Sequence, residues 1–328
     1  MISSPLPLYA LCFIVSFAVS LVCGKALIPR LARLGAQPIY EEGPAWHASK
    51  RGTPTMGGVC FVIGVLLSLL PIAVLLLTEG ERYRATSLIL SVAYALFNSV
   101  IGMIDDLKKL SKRENLGLTA TEKLILQSVG AIVFLFLYSK LLSVDTVIRL
   151  PTIAIELGGW YYPVSFLLLV GITNFVNLTD GVDGLASSVC FACAVSLFYI
   201  TYSTAAVGGF LSSALAGGVT AFLIFNLHPA TVFMGDTGSL FLGSLLSSMT
   251  VSLNNPFFIL PIYTVFVLEG LSVVLQVLSF KLFKKRIFKM APLHHHLEKS
   301  GWSENKICIT GMLVTFVFSL IAIILYSL

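Results

Sequence analysis

Two aspartates stand side by side at Asp105-Asp106, a third sits at Asp236 in "FMGDTGS", and three of the chain's five histidines run together as His294, His295 and His296. Carboxylates brought together in space can hold a divalent cation, or one of them can take a proton from an attacking group. The Asp105-Asp106 pair ends an apolar run. A negative charge there opposes the helix macrodipole, so a solvated helix end explains it poorly. Asn174, Asn177, Asp180 and Asp183 recur every three residues in "NFVNLTDGVDG". On a helix or its frayed end they share one face, which suits Mg²⁺ or a hydrogen-bonding ligand. Gly181 and Gly184 equally favour a helix-terminating turn. Asp236 has a plain alternative as an N-cap, but Gly235 and Gly238 leave the backbone open to a phosphate at a helix N-terminus. "GTPTMGG", beside Lys50, offers hydroxyls, flexible backbone and a cation to an anion.

The histidine run is internal and followed by another apolar segment, unlike a tag. Three adjacent side chains cannot converge on one ion without a distorted backbone, and nothing marks a pH switch. There remain imidazoles able to donate to a diphosphate or orient an aspartate, with His296 turning the other way. The candidate ligands are mainly oxygens, which prefer Mg²⁺ to zinc. Cys190 and Cys193 form C-x-x-C in an apolar run. With no second pair nearby, they read as small helix residues rather than a metal site.

These residues need a scaffold, and the composition says which kind. Of 328 residues 57% are apolar and 11% charged, with a mean hydropathy of +0.93. Soluble domains average about 25% charged residues, so this chain belongs in a bilayer. Hydropathy gives about ten spans, with cores near 7–27, 57–77, 86–104, 124–142, 162–178, 185–203, 207–227, 237–253, 257–280 and 307–327. No Lys or Arg precedes Lys25, so the first reads as a retained helix rather than a signal peptide. The expected fold is a single all-α polytopic membrane domain over residues 1–328. Between helices 4 and 5, "DTVIRLPTIAIELGGWYYP" has short β-rich runs divided by Pro151 and Gly158-Gly159, which predicts a small external hairpin.

Charge sets the expected sidedness. All but four of the 21 Lys and Arg residues fall in or beside the odd-numbered connections; the exceptions are Arg82, Arg84, Lys140 and Arg149. The positive-inside rule then makes the odd connections cytoplasmic and both termini periplasmic. The net charge of +5 reflects this topology and implies no nucleic-acid partner. The same connections carry every polar motif above. Scattered loop residues would use both faces, so the asymmetry points to one site. Acids for a metal, cations for phosphates and a membrane face for a lipid head group are the components of phosphoryl transfer. A transporter would instead place its ionisable residues near the bilayer midplane.

"HASKRGTPTMGG", "IGMIDDLKKL", "NLTDGVDGLA", "FNLHPATVFMGDTGSL" and "RIFKMAPLHHHLEKSGW", in this order, closely resemble the phospho-N-acetylmuramoyl-pentapeptide transferase (MraY) family. That family lies within the polyprenyl-phosphate N-acetylhexosamine-1-phosphate transferase superfamily, and the likeness runs from about Glu42 to Trp302. It implies transfer of phospho-MurNAc-pentapeptide from UDP-MurNAc-pentapeptide to undecaprenyl phosphate, giving lipid I and UMP with Mg²⁺ as cofactor. It also implies a homodimer in the bacterial inner membrane with a cytoplasmic active site. A relative using UDP-GlcNAc is the alternative. The resemblance makes Asp236 the principal Mg²⁺ ligand, Asp105 and Asp106 an essential pair, with Asp105 orienting or deprotonating the lipid phosphate, and His294 and His295 functional. It puts Lys50 and Thr55 near the nucleotide-sugar, Lys109 near the uracil, and Asn177, Asp180 and Asp183 around nucleoside and phosphate. Asn226 and Phe233 line the cleft, and Lys123 meets phosphate. Two departures stand beside these positions: Leu227-His228 where Thr-Tyr is expected, and Val182 for a common Leu. His228 receives no role.

Overall fold

The computed structural model describes residues 5–34, 50, 52–112, 117–149, 154–202, 207–253 and 260–327. His47, Ala48, Ser49 and Arg51 of the first motif lie outside them.

The apolar runs become helices because lipid offers backbone groups no hydrogen-bond partner, and a helix satisfies them internally. In chain order these are α1 (Leu6–Leu34), α2 (Gly58–Thr78), α3 (Arg82–Lys112), α4 (Ala120–Leu141), α5 (Tyr161–Thr179), α6 (Leu185–Thr201), α7 (Val207–Asn226), α8 (Gly235–Ser252), α9 (Thr264–Phe283), the short α10 (Leu293–Glu298) and α11 (Glu304–Ser327). Among the described residues, eight helical segments are long and apolar enough to cross a membrane. α6, at 17 residues, and the serine-rich α8 are not among them. Both lie inside the bundle, so neither has to be greasy toward lipid.

The outer helices show the opposite pattern. Ile125, Ile132 and Phe136 on α4, and Leu275, Leu278 and Phe283 on α9, are exposed. Such residues are at home against acyl chains. Packing between helices then rests on close fit rather than on expelling water. α7 is buried along nearly its whole length, with α1, α2 and α6 against it, while α8 lies between α3 and α5. Three hydroxyls inside the bundle bond back to their own helix: Thr173 to Leu169 O at 2.7 Å, Ser196 to Ala192 O at 2.8 Å and Thr201 to Leu197 O at 2.7 Å. These three add polarity and spend their hydrogens within the helix.

α4 starts at a capping box. The Thr119 hydroxyl accepts from the Glu122 N–H at 3.2 Å, and the Glu122 carboxylate accepts from the Thr119 N–H at 2.7 Å. This fixes the helix start that carries Lys123. Between α4 and α5, β1 (Val147–Arg149) pairs antiparallel with β2 (Ala154–Glu156), in register Ile148 with Ile155. The β-rich runs do pair here as two short strands. Cys190 and Cys193 are buried and unbridged in α6, and the Cys193 thiol donates to Ile262 O at 3.2 Å. They make a packing pair.

Candidate active site

The last two turns of α3 and the first turn of α8 are held together through Asp106. Its Oδ1 accepts the Asp236 N–H at 3.1 Å, and its Oδ2 accepts the Thr237 N–H at 2.9 Å and the Thr237 hydroxyl at 2.6 Å. Those amides are the unpaired donors at the start of α8, so a carboxylate from another helix does the capping. The sequence allowed Asp236 to be its own helix's cap. Instead it lies inside the first turn, and its side chain is left for the site.

That capping brings Asp105, Asp106 and Asp236 within reach of one another. A carboxylate oxygen from each can be chosen so that all lie within 4.8 Å. Two ammonium groups stand between the outer pair. Lys109 Nζ is 2.6 Å from Asp105 Oδ2 and 3.5 Å from Asp236 Oδ2. Lys123 Nζ is 2.8 Å from Asp236 Oδ2 and 3.5 Å from Asp105 Oδ2. Asp105 Oδ1 also accepts the Leu118 N–H at 2.6 Å, and Asp236 Oδ1 accepts from Asn177 Nδ2 at 3.1 Å. Asn177 further donates to the Ser239 hydroxyl at 2.8 Å. Asp105 and Asp106 are sealed, whereas 16% of the Asp236 side chain is exposed, so a cation or phosphate approaches Asp236 first.

The donor chemistry fits a hard divalent cation: three carboxylates, no sulfur and no imidazole among them. Asp236 and Asp105 would hold it, since Asp106 already spends both oxygens on α8. The Thr55 hydroxyl is buried beside them with no hydrogen-bond partner, and it and Asp106 Oδ2 crowd the Cα of Gly235. It is an unpartnered hydroxyl at the Asp106–Gly235 corner of the site.

Asn177, Asp180 and Asp183 do not share one helical face. α5 stops at Thr179, Asp180 is its C-cap, and Asp183 lies in the turn before α6. Asn174, the first of the series, leaves the site altogether: its amide donates to Gln127 Oε1 and Val170 O. Burial, and after it the nearby carboxylates of Asp236, Asp106 and Asp183, push the Asp180 carboxyl well above the ordinary aspartate range.

Asp183 belongs to a second cluster. Lys50 Nζ sits 2.7 Å from Asp183 Oδ1 and 2.7 Å from Glu304 Oε2. His228 Nδ1 is 3.0 Å from Asp183 Oδ2 and 3.4 Å from Glu304 Oε1, and the Ala230 N–H donates to Asp183 Oδ2 at 3.1 Å. Burial alone would raise the Asp183 pKa. The Lys50 hydrogen bond and charge, the Ala230 amide and His228 outweigh it and hold the carboxyl below the usual range. For Lys50 burial works toward a lower pKa, and the bonds to Asp183 and Glu304 reverse it, so the ammonium is held above its ordinary value. His228, assigned no role from the sequence, is thus a member of this network. Glu304 was missed because it opens an apolar helix with no motif around it.

The Asn226 side chain and the Phe233 backbone tie neighbouring segments together. Asn226 accepts from the Ser187 hydroxyl at 3.0 Å and donates to Val232 O at 3.0 Å, so its amide braces α6 against the loop before α8. The Phe233 backbone pairs with the 54–57 segment through Phe233 N to Pro54 O at 2.8 Å and Gly57 N to Phe233 O at 2.9 Å, and its ring is half-buried. The histidines split three ways. His294 is fully buried against Glu269, His295 Nδ1 lies 2.6 Å from Glu298 Oε2, and His296 Nδ1 accepts the Lys289 N–H at 3.1 Å. His296 therefore turns away and braces its own loop.

A helical membrane bundle with carboxylates, ammonium groups and a buried hydroxyl gathered at its helix ends has the make-up of a membrane-embedded group transferase. Residues 87–254 match glycosyl transferase family 4, and residues 50–62 match signature 1 of the phospho-N-acetylmuramoyl-pentapeptide-transferases. The phospho-N-acetylmuramoyl-pentapeptide-transferase of Halalkalibacterium halodurans is 41% identical over 321 residues, covering 96% of both chains. That of Desulforamulus reducens is 42% identical over 94% of this chain and 93% of its own. That of Heliobacterium modesticaldum is 43% identical over 95% and 96%. The chain belongs to the phospho-N-acetylmuramoyl-pentapeptide-transferase family.

Proposed function

We propose that the protein transfers phospho-MurNAc-pentapeptide from UDP-MurNAc-pentapeptide to undecaprenyl phosphate, releasing UMP and forming lipid I. The observation that carries this reading is the meeting of Asp105, Asp106 and Asp236 with Lys109 and Lys123 at one end of the bundle. An oxygen of the lipid phosphate attacks the β-phosphorus of the donor. The new P–O bond joins the two phosphates, the bond between the donor's α- and β-phosphates breaks, and UMP departs with that electron pair.

Asp105 orients the lipid phosphate and takes any proton it carries. Lys109 and Lys123, already poised between two carboxylates, neutralise the charge of the diphosphate. Thr55 donates to a phosphate oxygen. Asn177 keeps the Asp236 side chain aimed into the site, and Asp180 lines the nucleoside and phosphate side of it. His294 and His295 close the far wall. Asp236 and Asp105 would hold Mg²⁺, which would supply charge neutralisation at the diphosphate.

The charge pattern and the family relationship support ten spans, periplasmic termini and hairpin, a cytoplasmic site in the bacterial inner membrane, and a homodimer. Full-length protein in detergent, given labelled UDP-MurNAc-pentapeptide, undecaprenyl phosphate and Mg²⁺, is expected to move label into the lipid phase with one UMP released per transfer. It should stop when EDTA is added. Label moving from UDP-GlcNAc but not from the muramoyl donor would replace the substrate assignment.

A further inference from the structure

Glu269 is a carboxylate in the middle of the apolar helix α9, only 3% exposed, and no motif marks it. A buried charge there needs partners. It finds them all in one residue. The His294 N–H is 3.1 Å from both Glu269 oxygens, and His294 Nδ1 is 3.0 Å from Oε2. The backbone N–H donates to this carboxylate, and Nδ1 stands where it can donate to it as well. The remaining nitrogen, Nε2, is then the one able to act.

Nε2 is buried and has no hydrogen-bond partner, although every other polar atom of the residue's contact with α9 is satisfied. It abuts the turn after α5: a Cβ built on Gly181 would lie 2.3 Å from it. Gly181 follows Asp180, and Asp183 is two residues on. The ring is therefore clamped from α9 on one side and presses on the acidic turn with the other. The neighbouring His295 ring, 4.2 Å away centre to centre, limits its rotation.

We propose that Glu269 is a positioning residue for His294, fixing the ring so that Nε2 faces the Asp180–Asp183 turn and is the working nitrogen. The inference rests on the reading that His294 acts in the transferase site. In Glu269→Gln the amide can turn either its oxygen or its NH₂ to Nδ1, so the ring orientation survives but its tautomer is no longer imposed.

The test is a double-mutant cycle in the full-length protein, measuring kcat and KM for the nucleotide-sugar donor. Glu269→Gln should lower kcat by about 10–100-fold with KM changed less than about threefold. Placed on His294→Gln, it should cost no more than about a further threefold, because its effect runs through a ring that is gone. Gly181→Ala leaves Glu269 intact but crowds Nε2, and should give the same kcat-selective fall. Normal kcat in Glu269→Gln or in Gly181→Ala, or losses that multiply in the double variant, would overturn the positioning role. Wild-type turnover in His294→Gln alone would instead remove the site reading beneath it.

Discussion

Lys50 illustrates how one side chain serves structure and site together. Its ammonium joins the segment before α2 to the α5–α6 turn and to the start of α11 through Asp183 and Glu304. Removing one partner of a mostly buried ion pair costs more than the pair contributes, because the remaining charges stay desolvated. Lys50→Met should lower unfolding stability in detergent by about 2–4 kcal/mol at neutral pH, below the top of the buried-pair range because Lys50 keeps 13% exposure. The pH dependence follows from two shifts. The Asp183 carboxyl is depressed below its ordinary 3.8, so its contribution is full above that pH and is lost as pH falls through the lowered value. The Lys50 ammonium is raised above 10.5, so its contribution is full below that pH and is lost as pH rises through the raised value. Unfolding of wild type and variant followed across pH should show a gap that is widest between these limits and shrinks in acid. A gap that grew below pH 3.8 would refute the network.

The acids, lysines and histidines were legible as residues because their types are rare in an apolar chain. Their partners were not. Glu269 and Glu304 lie inside or at the edge of helices whose sequence reads as lipid-facing, and only the fold pairs them with His294 and Lys50. His228 was set aside as a departure from the family pattern, yet it lies 3.0 Å from Asp183.

At the scale of elements, the site depends on how closely α3 approaches the start of α8. Gly102 makes that approach possible: an added Cβ would stand 2.2 Å from Asp236 O and 2.6 Å from Thr237 N, both backbone atoms that cannot swing aside. The Ser99 hydroxyl fastens the same crossing by donating to Thr237 O at 3.0 Å. Gly102→Ala should push the α8 start away from Asp105 and Asp106 and lower turnover by about 10–100-fold, since small misplacements at a reacting centre are costly. Steady-state kinetics on folded variant checks this, and unchanged kcat would mean the crossing has slack. The helices themselves followed from hydropathy. The end of α5 did not: the three-residue spacing from Asn174 to Asp183 suits a helix face, but Gly181 and Gly184 win, and the chain turns after Thr179. Turn chemistry outweighed periodicity there.

At the scale of the whole molecule, apolar composition foretold a helical membrane bundle. Which helices lie inside could not be read from hydropathy. α6 and α8 pack centrally with many small and hydroxylated residues, and their polarity is answered within the bundle rather than by lipid. The bundle engages Asp106 in capping α8 and turns Asp105 and Asp236 toward Lys109 and Lys123, and the proposed reaction assigns its work to those two. That division is the centre of the account, and Asp236→Asn tests it most directly. Mn²⁺ binding followed by electron paramagnetic resonance and UMP release should be measured on the same folded sample. The account predicts loss of the bound cation and a fall in UMP release of about 10³-fold. A variant that binds Mn²⁺ as wild type does and releases UMP within about threefold of its rate would contradict it.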